Sequence, residues 1–367
     1  MPFGDAVTII AVTYNSSRHL RPFLESVRSQ TYPNCELLIV DNASTDNTIE
    51  ILQSEARWAR LIPQRENLGY RRANSLGFER CSTPLMLICN DDVILEPDCV
   101  AELVRSMTEK PKAAMICPLI TLYDQPQTVN TVGNRLSITG FYSARGKGRI
   151  AAEFSESSQL ISVSGCCFLY RRDVYLELGG FSADFDGFPS AWHASYEDVD
   201  LSYRARCAGY EILFQPSAVL RHRYIQKPMR PTRFSSMMFG RALLVLRNFE
   251  ISTILRLAPL FAFCEIALLG YALLKGPLFL AEMLRLWIWL TTHPRRLIRM
   301  RRRIQAKRRV GDRELLPLLD AMFEVSPQVD RHPVTQRGAA LIDWICHTYQ
   351  ALMLHASPSA ERGWRPV

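Results

Sequence analysis

Leu85-Met86-Leu87-Ile88-Cys89-Asn90-Asp91-Asp92-Val93 is the stretch on which the fold of this chain turns. Four apolar residues, bounded by Pro84 on one side and charge on the other, read as a buried strand. Two adjacent carboxylates at its carboxyl end are costly unless they hold a cation or face a wet cleft. In open α/β sheets that end of a strand is where ligands bind. The cluster therefore points to a metal that itself grips a phosphate. Standing alone, it reads more simply as a solvated turn with incidental acids.

The surroundings repeat the strand pattern. Val7 to Val12 and Glu36 to Val40 are apolar runs followed by polar turn residues, and Leu20, Phe23, Leu24 and Val27 recur between them at helical spacing. Thr48 to Ala56 repeats the helical pattern, and Met115 to Ile120 is a further strand candidate. Strands alternating with helices predict an α/β fold, its mostly parallel sheet sandwiched by helices. Residues 126–160 are rich in Gly, Ser and Thr and read as irregular or as a polar hairpin. From Leu160 to about Arg223 the chain is globular again. Beyond Pro231 come long apolar helices, an arginine run, and an amphipathic helix around Ala339 to Leu354.

At 367 residues and 48% hydrophobic, the chain can bury one large core or two modest ones. Its net charge of +8 is concentrated in Arg295-Arg296, Arg299, Arg301-Arg302-Arg303 and Lys307-Arg308-Arg309. Ten cysteines occur without a C-x-x-C pair or zinc spacing, and Cys89, Cys117, Cys166 and Cys167 lie in apolar runs. They read as reduced core residues of a cytosolic protein. Val7 to Val12 is too short for a secretory signal and lacks a basic lead-in, so a cytoplasmic location is expected.

Several segments carry candidate chemistry. Val12-Thr13-Tyr14-Asn15 and Val40-Asp41-Asn42-Ala43-Ser44-Thr45-Asp46 place short polar side chains at strand ends, where a base and ribose can be held. Asp41 could accept from an N–H of a pyrimidine base. The same residues, Asn15, Ser16, Thr45 and Asp46, could instead cap the following helices. Arg65-Glu66-Asn67-Leu68-Gly69-Tyr70, running to Asn74, precedes another helix. No G-x-G-x-x-G follows the first strand and no P-loop is present, so a nucleotide would be held by side chains and a metal. In Tyr196-Glu197-Asp198-Val199-Asp200, Asp198 is a candidate general base that Glu197 and Asp200 could tune. An acidic helix start, favoured by the helix dipole, explains the same residues. His222, between Arg221 and Arg223 at a strand end, suits a metal or diphosphate.

In order and spacing these segments resemble the family 2 glycosyltransferases with the A-type (GT-A-like) fold, and within them the bacterial rhamnosyltransferase-like members. The matching residues are Val12 to Asn15, Asp41 to Asp46, Asn67-Leu68-Gly69 with Asn74, Asn90 to Val93, Ser164-Gly165, Gly179-Gly180-Phe181, Glu197 to Leu201, Ala208-Gly209-Tyr210, Pro216 and His222, within residues 6–250. The resemblance implies inverting transfer of a sugar from a nucleoside-diphosphate sugar to an acceptor hydroxyl. Thr13, Tyr14, Asn15, Asp41, Asn42, Asn67, Gly69, Asn90 and Asp91 would then hold the nucleotide sugar. Asp92 and His222 would ligate Mg²⁺ or Mn²⁺, Asp198 would be the base, and Gly165, Trp192 and Glu197 would face the acceptor. Rhamnose is the preferred sugar; thymine, uracil and guanine remain open as the base. Two departures stand out. Asn90 replaces the first acid of the usual D-x-D, and Asp186 to Ser195, with Trp192 and His193, is longer than the family's usual link.

On this reading residues 1–230 form the catalytic domain, with the nucleotide-sugar half at about 1–125 and the acceptor half at about 126–230. Residues 231–310 hold the apolar helices and polybasic run, and 311–367 a helical tail. Leu257 to Leu274 is apolar enough to consider as a membrane span, though Glu265 interrupts it. A single span would put the arginines opposite the catalytic domain, against the positive-inside tendency. Helices lying in the membrane plane, with the arginines on anionic headgroups at the cytoplasmic face of the bacterial inner membrane, fit better. A helical subdomain with a solvated basic face is the plainer alternative. Nucleic acid is not expected, because the basic run lacks interleaved aromatics. A glycan or lipid-linked acceptor of the cell envelope is the expected partner. A non-catalytic nucleotide-sugar-binding protein and a sugar nucleotidylyltransferase are the other classes; the latter normally carries a glycine-rich basic first loop, absent here.

Overall fold

Successive residues of a strand point to opposite faces, and the apolar runs are continuous because both faces are covered. The computed structural model describes residues 5–187, 196–226, 228–321 and 333–355. By contacts the chain divides into two compact units, residues 1–135 with 144–225, and residues 136–143 with 226–367.

In the first unit, β1 (Val7–Thr13), β2 (Cys35–Asp41), β3 (Arg60–Pro63) and β4 (Leu85–Asn90) lie parallel in the order β3-β2-β1-β4. They are linked by α1 (Leu20–Arg28), α2 (Thr48–Glu55) and α3 (Gly69–Glu79). Val7, Ile9 and Ala11 share one core with Phe23, Leu24 and Val27 of α1 and with Leu103, Val104 and Met107 of α4 (Cys99–Glu109). Ile10, Leu38, Met86 and Ile88 share the opposite core with Ala73 and Phe78 of α3.

Past the carboxylate cluster, β5 (Val93–Leu95) turns away from β4, and β6 (Ala113–Leu122) and β7 (Gln125–Thr131) form an antiparallel pair. The short strands β8 (Asn134–Leu136), β9 (Tyr142–Ala144) and β10 (Ser158–Gln159) follow. β11 (Cys167–Arg171) inserts antiparallel between β4 and β6, and β12 (Glu211–His222) runs parallel to β6. The result is a mixed ten-stranded sheet. The segment expected to be irregular or a hairpin holds a two-stranded sheet of β8 and β9, as the hairpin reading had it, and also an edge strand in β7. Its polar sequence hid it, since only Val129, Asn130 and Thr131 are buried.

α5 (Arg172–Leu178) and α6 (Glu197–Cys207) cover the sheet's second half. Two arginines of α6 are braces. Arg204 pairs with Asp200 at 2.9 Å and donates to the carbonyls of Leu178 and Gly180. Arg206 donates to the carbonyls of Leu160 and Ile212.

The second unit is helical: α7 (Pro231–Asn248), α8 (Ile251–Lys275), α9 (Pro277–Thr292), α10 (Pro294–Gln305), α11 (Asp312–Leu315) and α12 (Pro333–His355). Residues 136–143 group with it because Arg241 of α7 donates to the Thr139 carbonyl at 2.8 Å. Glu265, which interrupts the apolar run, is paired: Arg241 lies 2.6 Å from one carboxylate oxygen and the Trp287 indole N–H donates to the other. α8 is by length and composition long and apolar enough to cross a membrane, with a mean hydropathy of 2.0 over its most apolar window. Part of the arginine run is structural. Arg301, Gln305 and Arg308 donate to the carbonyls of residues 246–249, the last turn of α7 and the residue after it, which would otherwise lack partners. Arg295, Arg299 and Arg302 remain exposed.

Candidate functional site

Register gathers the candidate residues. Thr13 is paired with Asp41, and Val12 with Asn90, so three parallel strands end side by side. The loops beyond are tied together. Thr13 Oγ1 donates to Asp41 Oδ1 at 2.9 Å, and Ser44 donates to both Asp41 oxygens through its hydroxyl and backbone N–H. Asp41 is 1% exposed and accepts three hydrogen bonds, leaving a lone-pair position on Oδ2. Asn15 stands in the left-handed region at φ 54°, which Asn tolerates, and its side chain accepts from the Thr45 N–H. Tyr14 is exposed beside it.

Asn42 and Asn67 brace the next loop. Asn42 Nδ2 donates to Asn67 Oδ1 at 2.8 Å, and each amide oxygen accepts a backbone N–H, from Leu68 and Gly69 respectively. Gly69 has φ +75° with open space around it, so the backbone conformation and not crowding requires glycine there.

The two acids after β4 have different settings. Asp91 accepts from the Ser16 hydroxyl and lies 3.5 Å from His19 Nε2, tying the entry of α1 to the end of β4. The nearby Asp91 carboxylate is the largest influence on His19, whose imidazole pKa is raised. Asp92 Oδ1 lies 3.3 Å from His222 Nε2, is closed to solvent, and has no well-oriented hydrogen-bond partner. Pairing of β5 with β12 produces this: His222 opposes Val93, and the Arg223 N–H donates to the Asp92 carbonyl at 2.9 Å. His222 Nδ1 contacts Asn130 Oδ1 at 2.8 Å, which makes Nδ1 a donor and turns Nε2 toward Asp92. Burial would lower the imidazole pKa, yet Cys166 and Asp92 raise it to about 10. Burial also pushes the Cys166 thiol up, so at neutral pH the pull comes from the carboxylate.

A buried carboxylate oxygen beside an imidazole nitrogen is a donor set that Mg²⁺ or Mn²⁺ accepts when the cation displaces the Nε2 proton that Asp92 holds in place. No group of three or more His, Cys, Asp or Glu is placed to hold a metal among the described residues.

Asp198 opens α6 in the same unit. Its Oδ2 accepts the Gly165 N–H at 2.7 Å and Asn134 Nδ2 at 3.0 Å; among the described residues its Oδ1 accepts only the Val199 N–H. A Cβ on Gly165 would sit 3.2 Å from Oδ2 and 3.4 Å from the Tyr70 hydroxyl, which donates to the Gly165 carbonyl at 2.6 Å. A side chain at this position would press on both groups. Burial raises the Asp198 pKa against these three hydrogen bonds, which lower it.

Glu197 is 4% exposed, its Oε1 has no hydrogen-bond partner among the described residues, and burial followed by the charge of Asp198 pushes its carboxyl up to about 8. A raised folded-state pKa favours the fold while the acid is neutral. That contribution is complete below the ordinary carboxylate value and is lost as pH rises through about 8. We therefore expect Glu197→Gln, neutral at every pH, to be more stable than wild type at pH 9 by roughly 1–3 kcal/mol. Thermal melts across pH 5 to 9 check this, and parallel curves for the two proteins would refute it.

Trp192 lies outside the described residues. Sequence reasoning missed Tyr70, Asn130, Asn134 and His19, which hold Gly165, His222, Asp198 and Asp91. Of these only Tyr70 had a local signal, its place after Asn67-Leu68-Gly69. A separate cleft of about 590 Å³, lined by residues including Pro84, Leu85 and Arg171, opens at the amino end of β4, away from these groups.

A mixed α/β sheet with its polar loops at the carboxyl edge is the architecture of the A-type glycosyltransferases, and the comparisons agree. Residues 8–179 match the family described as Glycosyl transferase family 2, so the chain carries a family 2 glycosyltransferase domain and is a glycosyltransferase. It is 28% identical over 240 residues to the N-acetylglucosaminyl-diphospho-decaprenol L-rhamnosyltransferase of Mycobacterium tuberculosis strain H37Rv, covering 59% of this chain and 76% of that one. Among solved structures, the mannosyltransferase PcManGT from Pyrobaculum calidifontis, in complex with GDP-Man and Mn²⁺, superposes with TM-score 0.51 at 18% identity, over 83% of this chain and 86% of that one. S. aureus TarS 1–349 in complex with UDP-GlcNAc superposes with TM-score 0.54 at 13% identity, over 96% and 92%. At these identities the structural likeness shows the fold alone.

Proposed function

We propose that this glycosyltransferase moves a sugar, rhamnose by preference, from a nucleoside-diphosphate sugar to a hydroxyl of a lipid-linked or cell-envelope glycan, with inversion. The observation that carries the chemistry is Asp198: a carboxylate with one oxygen fixed by Gly165 and Asn134 and the other holding a single hydrogen bond. Oδ1 takes the acceptor's proton as that oxygen bonds to the anomeric carbon. The bond from the anomeric carbon to the phosphate oxygen breaks, its electron pair stays on the leaving diphosphate, and attack from the opposite face inverts the centre. Thr13, Asn15, Asp41, Asn42, Asn67 and Gly69 shape the loops against which base and ribose rest. Asp92 and His222 would hold Mg²⁺ or Mn²⁺, which when bound neutralises charge building on the diphosphate. Gly165 and Glu197 border the base, consistent with an acceptor-side position.

The sugar and acceptor class are supported by the M. tuberculosis relative, whose name states rhamnosyl transfer onto a decaprenyl-diphosphate-linked sugar. A thermal-shift screen of the purified protein against UDP-, dTDP- and GDP-linked sugars tests the donor reading. Stabilisation by one or more supports it, and stabilisation by none rejects it.

We also place the protein on the cytoplasmic face of the inner membrane through its second unit. Exposed Leu255, Ile266, Leu273, Leu278 and Ile288 on α8 and α9 supply apolar surface, and exposed Arg295, Arg299 and Arg302 on α10 supply charge for anionic headgroups. With Glu265 paired inside the unit, the acid is no obstacle to burying α8 against lipid. The expected outcome is membrane-bound protein in low salt, partly released by 1 M NaCl once the headgroup attraction is screened (Debye length about 3 Å). Protein fully soluble at low salt would refute this placement.

A further inference from the structure

β12 ends in Arg221-His222-Arg223, and the two arginines are used differently. Arg221 pairs with Glu96, Nε to Oε1, at 2.9 Å. Arg223 makes no ion pair among the described residues. Its guanidinium instead lies 3.6 Å from the ring centroid of Tyr123. Backbone hydrogen bonds fix both partners against the Asp92–His222 pair. The Arg223 N–H donates to the Asp92 carbonyl, and the Tyr123 N–H donates to the His222 carbonyl, each at 2.9 Å. Arg223 is half-buried, so its fork of donors is partly desolvated yet reachable. Its charge is also felt at His19, beside Asp91.

A guanidinium stacked on an aromatic ring, without a carboxylate, keeps its planar donors for a ligand of opposite charge. Phosphate oxygens are what that fork matches, in a bidentate fashion. We propose that Arg223, held by Tyr123, binds the diphosphate of the donor beside Asp92 and His222, and so selects a nucleoside diphosphate over a monophosphate. The proposal rests on the donor reading given under Proposed function.

The test is titration calorimetry on the full chain with Mn²⁺ present, using UDP, dTDP and GDP and their monophosphates. We expect wild type to prefer at least one diphosphate over its monophosphate. Arg223→Ala should shrink that preference about tenfold or more with monophosphate affinity unchanged. Arg223→Lys, a point charge without the fork, should keep part of it. Arg221→Ala removes the Glu96 pair and a more distant contact with the Tyr123 ring, 5.9 Å from its centroid, and should keep most of it. Arg223→Gln, uncharged but able to lie on the ring, serves if the alanine variant melts early. Unchanged preference in both Arg223→Ala and Arg223→Gln, or equal loss of mono- and diphosphate binding, would overturn the assignment and leave the donor reading standing. A wild-type protein that binds none of the three diphosphates would overturn both.

Discussion

Asp198→Asn is expected to lower turnover by about a hundred- to ten-thousand-fold, the usual worth of a positioned general base, while nucleoside diphosphate binds as in wild type. The geometry says why the variant folds. All three contacts of the Asp198 carboxylate are donors: the Gly165 N–H and Asn134 Nδ2 on Oδ2, and the Val199 N–H on Oδ1. An asparagine keeps the first two by placing its amide oxygen at the Oδ2 position. Its NH₂ then occupies the Oδ1 position, the one that must take the acceptor's proton, and an NH₂ cannot accept it. The loss falls on chemistry, and kcat drops with little change in donor affinity. pH gives an independent check. Burial raises the Asp198 pKa, and the working form is the carboxylate, so wild-type turnover falls as pH drops through a value above the ordinary carboxylate range. Turnover retained in the variant, or an acid limb at the ordinary carboxylate value, would remove the base assignment.

Much of this was legible from single residues, and what was not has a common cause. The strands β1, β2 and β4 could be read because both their faces are buried and their apolar runs are unbroken. β7 could not, since an edge strand with three buried positions carries no such run. The acids at strand ends and Asp198 at a helix start were visible as costly charges near apolar sequence. The groups that hold them were not: Asn130 is 92 residues from His222 and Asn134 is 64 from Asp198, so their roles exist only after β7 and β8 have packed. The arginine run shows the converse. Composition assigned it to a surface, whereas Arg301 and Arg308 have their donors on the carbonyls at the end of α7, a use no charge count reveals.

The carboxylate pair that ends β4 separates into two jobs, and metal removal should show it. EDTA treatment is expected to abolish transfer and added Mn²⁺ to restore it. Asp92→Ala should not be rescued at Mn²⁺ concentrations that saturate wild type. The basis is asymmetry between neighbours. Asp91 is taken up by the Ser16 hydroxyl and the His19 imidazole, so Asp91→Asn should loosen the entry of α1 and lower the melting temperature without changing the Mn²⁺ requirement. Asp92 Oδ1 lies 3.3 Å from His222, and His222 is turned toward it by Asn130. Asn130→Ala touches neither ligand oxygen nor donor, yet should weaken apparent Mn²⁺ affinity about 10- to 100-fold, because the imidazole loses the contact that fixes its tautomer. Mn²⁺ titrations of transfer in the four proteins decide the matter. Full turnover of wild type in metal-free buffer would reject the pair as ligands, and an Asp91 variant that needs more Mn²⁺ than the Asp92 variant would reverse the two roles.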